Sequence, residues 1–286
     1  MSEVLVTGAK GFAGRYLVAS LRQAGHNVAG FSRADGDIAS ATLDFPDVEH
    51  VFHLAARTFV PDSWENPRGF YETNVLGTLN VLELCRRRKA SLTLISSYVY
   101  GPPDHLPVRE DHAVRAFNPY CQTKIMGEEM AAFYESHRGV GLAIVRPFNL
   151  YGPGLDSRYL ISMLVRQFLD PATAEVVVAD IRPRRDYLYI DDFVQLLMRI
   201  MATGARGIYN AGSGTSVSVE EVAGAVRAAA GSDKPLRSRN EERPHEVMDV
   251  YADISKAREE LQWAPWTSLE AGIRAMVRAQ GSQLGK

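Results

Sequence analysis

Tyr120 and Lys124 stand four residues apart, directly after Asn118-Pro119, a pair that can cap and start a helix, so both side chains project from one helical face. That spacing suits proton transfer. A phenol with an ordinary pKa of about 10 is a poor acid-base group at neutral pH unless a nearby ammonium stabilises its anion. Lys124 can serve as that ammonium. One such pair among 12 tyrosines says little by itself. Its weight comes from Ile95-Ser96-Ser97-Tyr98-Val99-Tyr100-Gly101, where an apolar strand ends in hydroxyls at the carboxyl edge, the edge at which parallel sheets place ligands. With Asn74 upstream and a glycine turn at the N-terminus, these stretches follow the order expected of a hydride-transfer site.

The glycine turn, Thr7-Gly8-Ala9-Lys10-Gly11-Phe12-Ala13-Gly14, fixes the ligand class. Gly8 and Gly11 let the backbone approach a pyrophosphate, Gly14 lets helix and strand pack closely, and the helix N-terminus adds partial positive charge. Lys10 and Phe12 belong to the same cofactor-binding turn. The place where an acid would accept hydrogen bonds from the adenosine ribose holds Ser32 and Arg33. A guanidinium there suits a 2′-phosphate, so NADP(H) is favoured; if Asp35 reaches the ribose instead, NAD(H) is the cofactor. Asp37 and Ile38 then flank the adenine.

These residues need a scaffold. Val4-Leu5-Val6 reads as a buried strand, with Tyr16, Leu17 and Leu21 marking the apolar side of the following helix. Val28 to Phe31, Val51 to Leu54, Leu92 to Ile95 and Leu142 to Val145 are further apolar strands. Helical patterns between most of them predict an α/β fold with a Rossmann-like, doubly wound parallel sheet. Between Phe31 and Val51 the chain is too short for a helix plus a strand, which predicts a truncated crossover closed by Ala34-Asp35-Gly36. After Tyr151-Gly152-Pro153-Gly154 short strands such as Glu175 to Val178 mix with helices, as in a smaller α/β lid domain that binds substrate. The expected division is a dinucleotide-binding domain over 1–150, rejoined by about 187–212, and a substrate-binding domain over 151–186 and 213–286. Ser218 with Glu221 forms a capping box, and Leu269, Ile273 and Met276 trace one face of a last helix.

Composition excludes several other classes. The chain has 286 residues, 46% apolar and 23% charged, enough for a full core. Its 32 Lys and Arg against 34 Asp and Glu give no field that would draw it to nucleic acid or an anionic membrane. Cys85 and Cys121 are too few for a disulfide framework and lack metal-ligand spacing, which predicts a cytoplasmic setting and no metal. Met1 to Thr7 runs straight into a strand, and no apolar run approaches membrane-spanning length. Arg86-Arg87-Arg88-Lys89 reads as a solvated helix end rather than a nucleic-acid patch. His53 reads as a buried, hydrogen-bonded histidine beside the cofactor. Arg182 and Arg184 are equally consistent with phosphate ligands and surface cations.

From Met1 to about Ala279 the chain resembles the extended short-chain dehydrogenase/reductase family of nucleotide-sugar epimerases, dehydratases and ketoreductases. The likeness rests on the glycine turn, His53-Leu54-Ala55-Ala56, Thr73-Asn74-Val75 with Gly77-Thr78, and Ser96 to Gly101. It continues through Asn118-Pro119-Tyr120 to Lys124, Arg146-Pro147-Phe148-Asn149, Arg185-Asp186-Tyr187 and Tyr209-Asn210. The resemblance implies that Ser96 is the catalytic hydroxyl, Tyr120 the acid-base, Lys124 the ligand of the nicotinamide ribose, and Asn74 a support of the proton path. It implies cofactor contacts also from Leu54, Ala55, Ala56 and Pro147, and substrate contacts from Ser96, Ser97, Asn149, Arg185 and Arg243, the last three at the nucleotide diphosphate.

Departures from the family patterns narrow the reaction. Dehydratases of this type carry an acid pair or a Glu after the catalytic hydroxyl, where this chain has Ser97 and Tyr98. The epimerase-reductases that make fucose donors place a Cys at the position of Tyr98. The closest likeness, in Thr58 to Trp64, Gly30-Phe31-Ser32-Arg33 and Arg185-Asp186, is to GDP-4-keto-6-deoxymannose reductases, whereas Leu150 to Gly154 and Arg243 are equally at home in 4-epimerases. The resemblance therefore implies an NADPH-dependent 4-ketoreductase of a nucleoside-diphosphate 4-keto hexose, with an NAD-retaining 4-epimerase as the alternative. A cofactor-binding regulator without chemistry is disfavoured because Tyr120 and Lys124 are both present. By the same likeness, helices over Phe70 to Arg88 and Tyr120 to His137 pair across a two-fold to make a homodimer.

Overall fold

Val4, Leu5 and Val6 are all buried, because a parallel strand at the centre of a sheet is covered on both faces. A computed structural model describes residues 3–241 and 247–284. In chain order the elements of its first half are β1 (Glu3–Thr7), α1 (Phe12–Gln23), β2 (Asn27–Phe31), β3 (His50–His53), α2 (Val60–Glu65), α3 (Pro67–Tyr71), α4 (Gly77–Arg88), β4 (Ser91–Ile95), α5 (Pro119–Arg138) and β5 (Leu142–Pro147). Then come β6 (Asn149–Tyr151), α6 (Leu160–Leu169), β7 (Val176–Val178), β8 (Arg184–Arg185), β9 (Tyr187–Tyr189), α7 (Ile190–Thr203), β10 (Gly207–Ala211), β11 (Val217–Ser218), α8 (Val219–Ala230), β12 (Leu236–Ser238), α9 (Ser255–Leu261) and α10 (Leu269–Leu284).

Six strands form one parallel sheet in the order β2-β1-β3-β4-β5-β10. The order reverses between β1 and β3, which opens a crevice at the carboxyl ends of those strands. Alternation along β1 splits the core: Val4 and Val6 join Leu17 and Leu21 of α1 on one face, and Leu5 joins Val81, Leu82 and Cys85 of α4 on the other. The link from β2 to β3 contains no helix, as its length predicts. Beyond β5, α6, α8 and α10 pack on one another, beside the small ladders β6–β9, β8–β11 and β7–β12. β10 returns to the main sheet and α7 packs on α1.

Local signals act as their chemistry dictates. Asn118 Oδ1 accepts the Cys121 amide at 2.7 Å at the start of α5, and Ser218 and Glu221 form both bonds of a capping box. The cationic end of α4 is held within the molecule: Arg86 pairs with Glu83 at 3.0 Å and Arg88 with Asp44 at 2.8 Å. The helical run expected over Phe70 to Arg88 is instead interrupted by a π-helical turn at Glu72–Leu76, which carries Asn74. Under the sheet, Arg146 of β5 and Glu128 of α5 form a bidentate pair at 3.0 and 2.6 Å, almost wholly buried.

Candidate active site

The glycine turn leaves β1 at the point where the strand order reverses. Gly8 has φ 70°, and a Cβ there would lie 2.8 Å from Ala55 N; one on Gly14 would lie 2.1 Å from Gly8 O. Gly11 donates its amide to Gly8 O at 2.8 Å and caps α1 with no side chain, so the first amides of α1 remain available to an anion. Thr7 Oγ1 accepts from Ala55 N at 3.2 Å, which draws Leu54, Ala55 and Ala56 to the same edge. Lys10 is exposed at the turn, and Phe12 lies edge-on to Tyr16 at 6.0 Å. A backbone concavity that any Cβ would fill, next to open helix amides, fits a dinucleotide pyrophosphate.

At the end of β2, Ser32 donates its hydroxyl and its amide to Asp35 Oδ2 at 2.7 and 2.9 Å. Those bonds hold the Asp35 carboxyl below its usual range, with a smaller contribution from the Lys10 charge. Arg33 is exposed and makes no hydrogen bond or ion pair among the described residues. Both groups weighed from the sequence thus stand here, the carboxylate engaged and the guanidinium open. Asp37 Oδ1 accepts the Ala39 amide at 3.0 Å, and Ile38 is buried beneath Gly77.

Tyr120 and Lys124 are both buried on α5. Burial pushes the Tyr120 pKa well above the ordinary value, with Ser97 acting in the opposite sense. Lys124 Nζ donates to Ile95 O at 2.5 Å, and burial lowers its pKa to about 8, with Glu128 acting in the opposite sense. The Lys124 ammonium is directed to the Ile95 carbonyl in this arrangement, and the groups that shift the Tyr120 pKa besides burial are Ser97, Tyr159 and Cys121. Ser96, whose amide donates to Val145 O at 2.8 Å, has a buried Oγ with no hydrogen-bond partner among the described residues. An orphaned buried hydroxyl at the carboxyl end of β4 is a place for a ligand oxygen.

Asn74 ties the surroundings together. Its Oδ1 accepts from Arg57 N at 2.9 Å, and its Nδ2 donates to Arg57 O at 3.1 Å and to Thr123 Oγ1 at 2.9 Å. Thr123 Oγ1 in turn donates to Tyr120 O at 2.7 Å. Thr78 donates to Asn74 O at 2.6 Å, so side-chain and backbone groups of the π turn both have partners.

His53, as the sequence indicates, is buried and bonded, to Thr7 Oγ1 at 2.7 Å and Thr78 Oγ1 at 3.1 Å, and burial lowers its pKa to about 3. His50 lies between Ser91 and Thr93 hydroxyls at 2.7 and 3.0 Å, with its pKa lowered to about 4 by burial. Both stay neutral in the fold but protonate near 6.5 when unfolded. Their contribution to stability is complete above that value and falls as pH drops toward the folded values, by roughly 1.4 kcal/mol per histidine per pH unit. Unfolding by denaturant at roughly pH 7.5 and 5.5 should differ by about 3 kcal/mol from this source. Imidazole resonances of the native protein should show neither ring titrating across that interval.

On the far side of the crevice, Asn149 donates its amide and its Nδ2 to Asp186 O at 3.1 and 3.0 Å. Arg185 Nη1 donates to Val247 O at 2.5 Å, and its charge reaches the phenol of Tyr98, which is itself bonded to Gly101 O. The Asp186 carboxylate takes the amides of Ser213, Gly214 and Ala252, which fixes the strand on which Arg185 sits. Arg184 pairs with Glu221 at 2.9 Å and Arg182 with Asp180 at 2.8 Å. Pro147 is buried at the end of β5, and Arg243 lies outside the described residues.

Two residues escaped the sequence reading, and Thr7 entered it only as the first residue of the glycine turn, without its hydroxyl's role. Thr123 is a small hydroxyl inside a helix, where nothing in the pattern marks it. Tyr159 sits in an irregular loop yet reaches Thr58 Oγ1 at 3.1 Å, stacks edge-on to Phe59, and its proximity raises the Tyr120 pKa further.

Comparison with known proteins agrees with this geometry. A profile of the NAD-dependent epimerase/dehydratase family matches residues 4–212. The UDP-glucose 4-epimerase of Mycolicibacterium smegmatis is 30% identical over 310 residues, covering 96% of this chain and 96% of that protein. Among solved structures, RMD from Pseudomonas aeruginosa, complexed with NADPH, superposes with TM-score 0.92 at 26% identity over 99% of this chain and 100% of that one. MoeE5 in complex with UDP-glucuronic acid and NAD gives 0.90 at 30% identity over 99% and 100%. The chain therefore belongs to the NAD-dependent epimerase/dehydratase family, as an NAD(P)-dependent sugar-nucleotide enzyme of the extended short-chain dehydrogenase/reductase type. No helix among the described residues is long and apolar enough to cross a membrane, and no cluster of three potential metal ligands occurs among them.

Proposed function

We propose that the protein is an NADPH-dependent 4-ketoreductase of a nucleoside-diphosphate 4-keto hexose or 6-deoxyhexose. The observation that carries this reading is Arg33, an exposed guanidinium without a partner among the described residues at the ribose end of the cofactor cradle, where it suits a 2′-phosphate. The bound nicotinamide supplies the hydride. Tyr120 gives its proton to the forming alkoxide at C4, and Ser96 Oγ hydrogen-bonds the same oxygen. Lys124, an ammonium at neutral pH even with its pKa at about 8, holds the ribose and stabilises the phenolate left behind. Asn74 keeps Thr123 and the backbone of Tyr120 in register, and Asn149, Arg185 and Arg243 bind the diphosphate. Ser97 and Tyr98 place no carboxyl beside the sugar, so loss of water is not assisted. In this reading 1–150 with 187–212 bind the cofactor and 151–186 with 213–286 the substrate; the return of β10 to the sheet supports that division.

A second reading, a 4-epimerase that retains NAD(H), is favoured by Asp35, an ionised carboxylate at the same ribose end. Stoichiometry separates the two. Assayed with GDP-, UDP- and dTDP-4-keto-6-deoxyhexoses, the ketoreductase consumes one NADPH per product, and Arg33→Ala should raise the KM for NADPH about tenfold while leaving that for NADH unchanged. Interconversion of sugar nucleotides without nicotinamide consumption, with NAD released on denaturation, would replace this reading with the second.

The homodimer is likewise proposed. Leu76, Leu79 and Phe133 are exposed on the π turn, α4 and α5, the segments expected to pair, and an apolar set there suits a helical interface. Light scattering should give about twice the 31.6 kDa chain mass; a monomer at micromolar concentration would rule this interface out.

A further inference from the structure

Away from the crevice, a cavity of about 420 Å³ opens between the loop after β10, Tyr187 of β9 and the segment that leads into α10. Among the described residues, none of Ser96, Tyr120, Asn149 or Arg185 lines it, and neither does any lysine or arginine. Besides the Trp266 indole, its polar side chains are hydroxyls and one carboxylate: Tyr187, Ser213, Thr215, Thr267, Ser268 and Glu270. Trp266 stands at this cavity 62% exposed.

That indole stands largely outside the core. Three residues earlier Trp263 is buried, with its Nε1 donating to Asp192 O at 3.0 Å, as an indole in a core requires. The backbone at Trp266 is fixed: its amide and that of Thr267 donate to the two carboxylate oxygens of buried Asp192, each at 3.2 Å. The point from which the indole projects is thus set, while the residue stays mostly exposed. Glu270 is held ionised by its own amide and by the Ser268 hydroxyl, so an acceptor is ready beside the ring.

An aromatic face, hydroxyls that both donate and accept, and a carboxylate form a set complementary to a sugar ring, whose C–H face carries slight positive charge toward the indole and whose hydroxyls donate to the carboxylate. The carboxylate, with no lysine or arginine among the described lining residues to offset it, disfavours a diphosphate. We propose that this cavity is a second, non-catalytic site for a neutral pyranose, distinct from the nucleotide-sugar crevice.

Saturation-transfer NMR on the full chain, with methyl gluco-, galacto-, manno- and 6-deoxyhexopyranosides as probes, tests this. At least one glycoside should receive saturation, and Trp266→Ala should weaken its binding at least about tenfold, the loss typical of a central aromatic anchor. Glu270→Gln, which keeps the shape and removes the charge, should weaken it as well. Both variants should keep the wild-type turnover and KM for the sugar nucleotide. No transfer to any probe overturns the proposal, as does transfer that survives Trp266→Ala. A raised KM for the sugar nucleotide in either variant also overturns it, by making the cavity part of the crevice, and leaves the reductase reading intact.

Discussion

Tyr120→Phe should reduce turnover by about 10²- to 10⁴-fold, the usual contribution of one general acid, while cofactor affinity stays nearly unchanged. The ring remains, so its edge-on contact with Phe70 at 6.2 Å survives, and only the hydroxyl is lost. Binding of the pyrophosphate to the glycine turn does not involve that hydroxyl. The substitution therefore separates fold and binding from chemistry: single-turnover rates should fall while cofactor titration by fluorescence is preserved. A variant with normal turnover would refute the assignment of Tyr120 as the proton donor. Because burial raises the Tyr120 pKa and lowers that of Lys124, cofactor and substrate must shift both groups toward each other, and the wild-type pH-rate profile should report the coupled pair.

The largest expected loss of stability comes from Glu128→Ala. Arg146 and Glu128 keep only 4% and 9% of their side chains exposed, and their two bonds are matched in the way a guanidinium and a carboxylate allow. Removing the carboxylate strands a guanidinium that cannot lose its proton, still under the Tyr100 ring at 4.9 Å and bonded to Glu110 O. Breaking a buried pair on one side costs about 3–5 kcal/mol, which for a chain of this size lowers the melting temperature by on the order of 10 °C. Thermal unfolding followed by circular dichroism measures it. Replacing both partners together, Glu128→Leu with Arg146→Met, should cost much less, since no buried charge is left over. Equal losses for the single and double variants would show that packing, rather than the unpaired charge, sets the penalty.

Much of this architecture was legible beforehand because its causes are local. Gly8, Gly11 and Gly14 are required where a side chain would strike the backbone, and contacts of 2.8 Å and 2.1 Å at imagined Cβ atoms of Gly8 and Gly14 give the steric reason. Val4 to Val6 and Leu142 to Val145 are apolar on both faces because their strands are covered on both faces. The four-residue spacing puts Tyr120 and Lys124 on one side of α5 whatever the rest of the chain does. The missing helix between β2 and β3 followed from length alone.

The remainder depends on which groups the folded chain brings together. Lys124 Nζ meets Ile95 O, 29 positions away, Ser96 Oγ stays without a partner among the described residues, and Tyr159 arrives beside Tyr120 from an irregular loop. The π turn at Asn74 has no periodic signature, since one extra residue in a helix leaves the apolar pattern almost intact. Sequence by itself determined the fold, the ligand cradle and the residue types able to move a proton, all of which follow from backbone sterics and side-chain period. Only the tertiary structure decided which hydroxyl each donor reaches and how far burial moves each pKa, because hydrogen-bond partners and desolvation are set by neighbours far away along the chain.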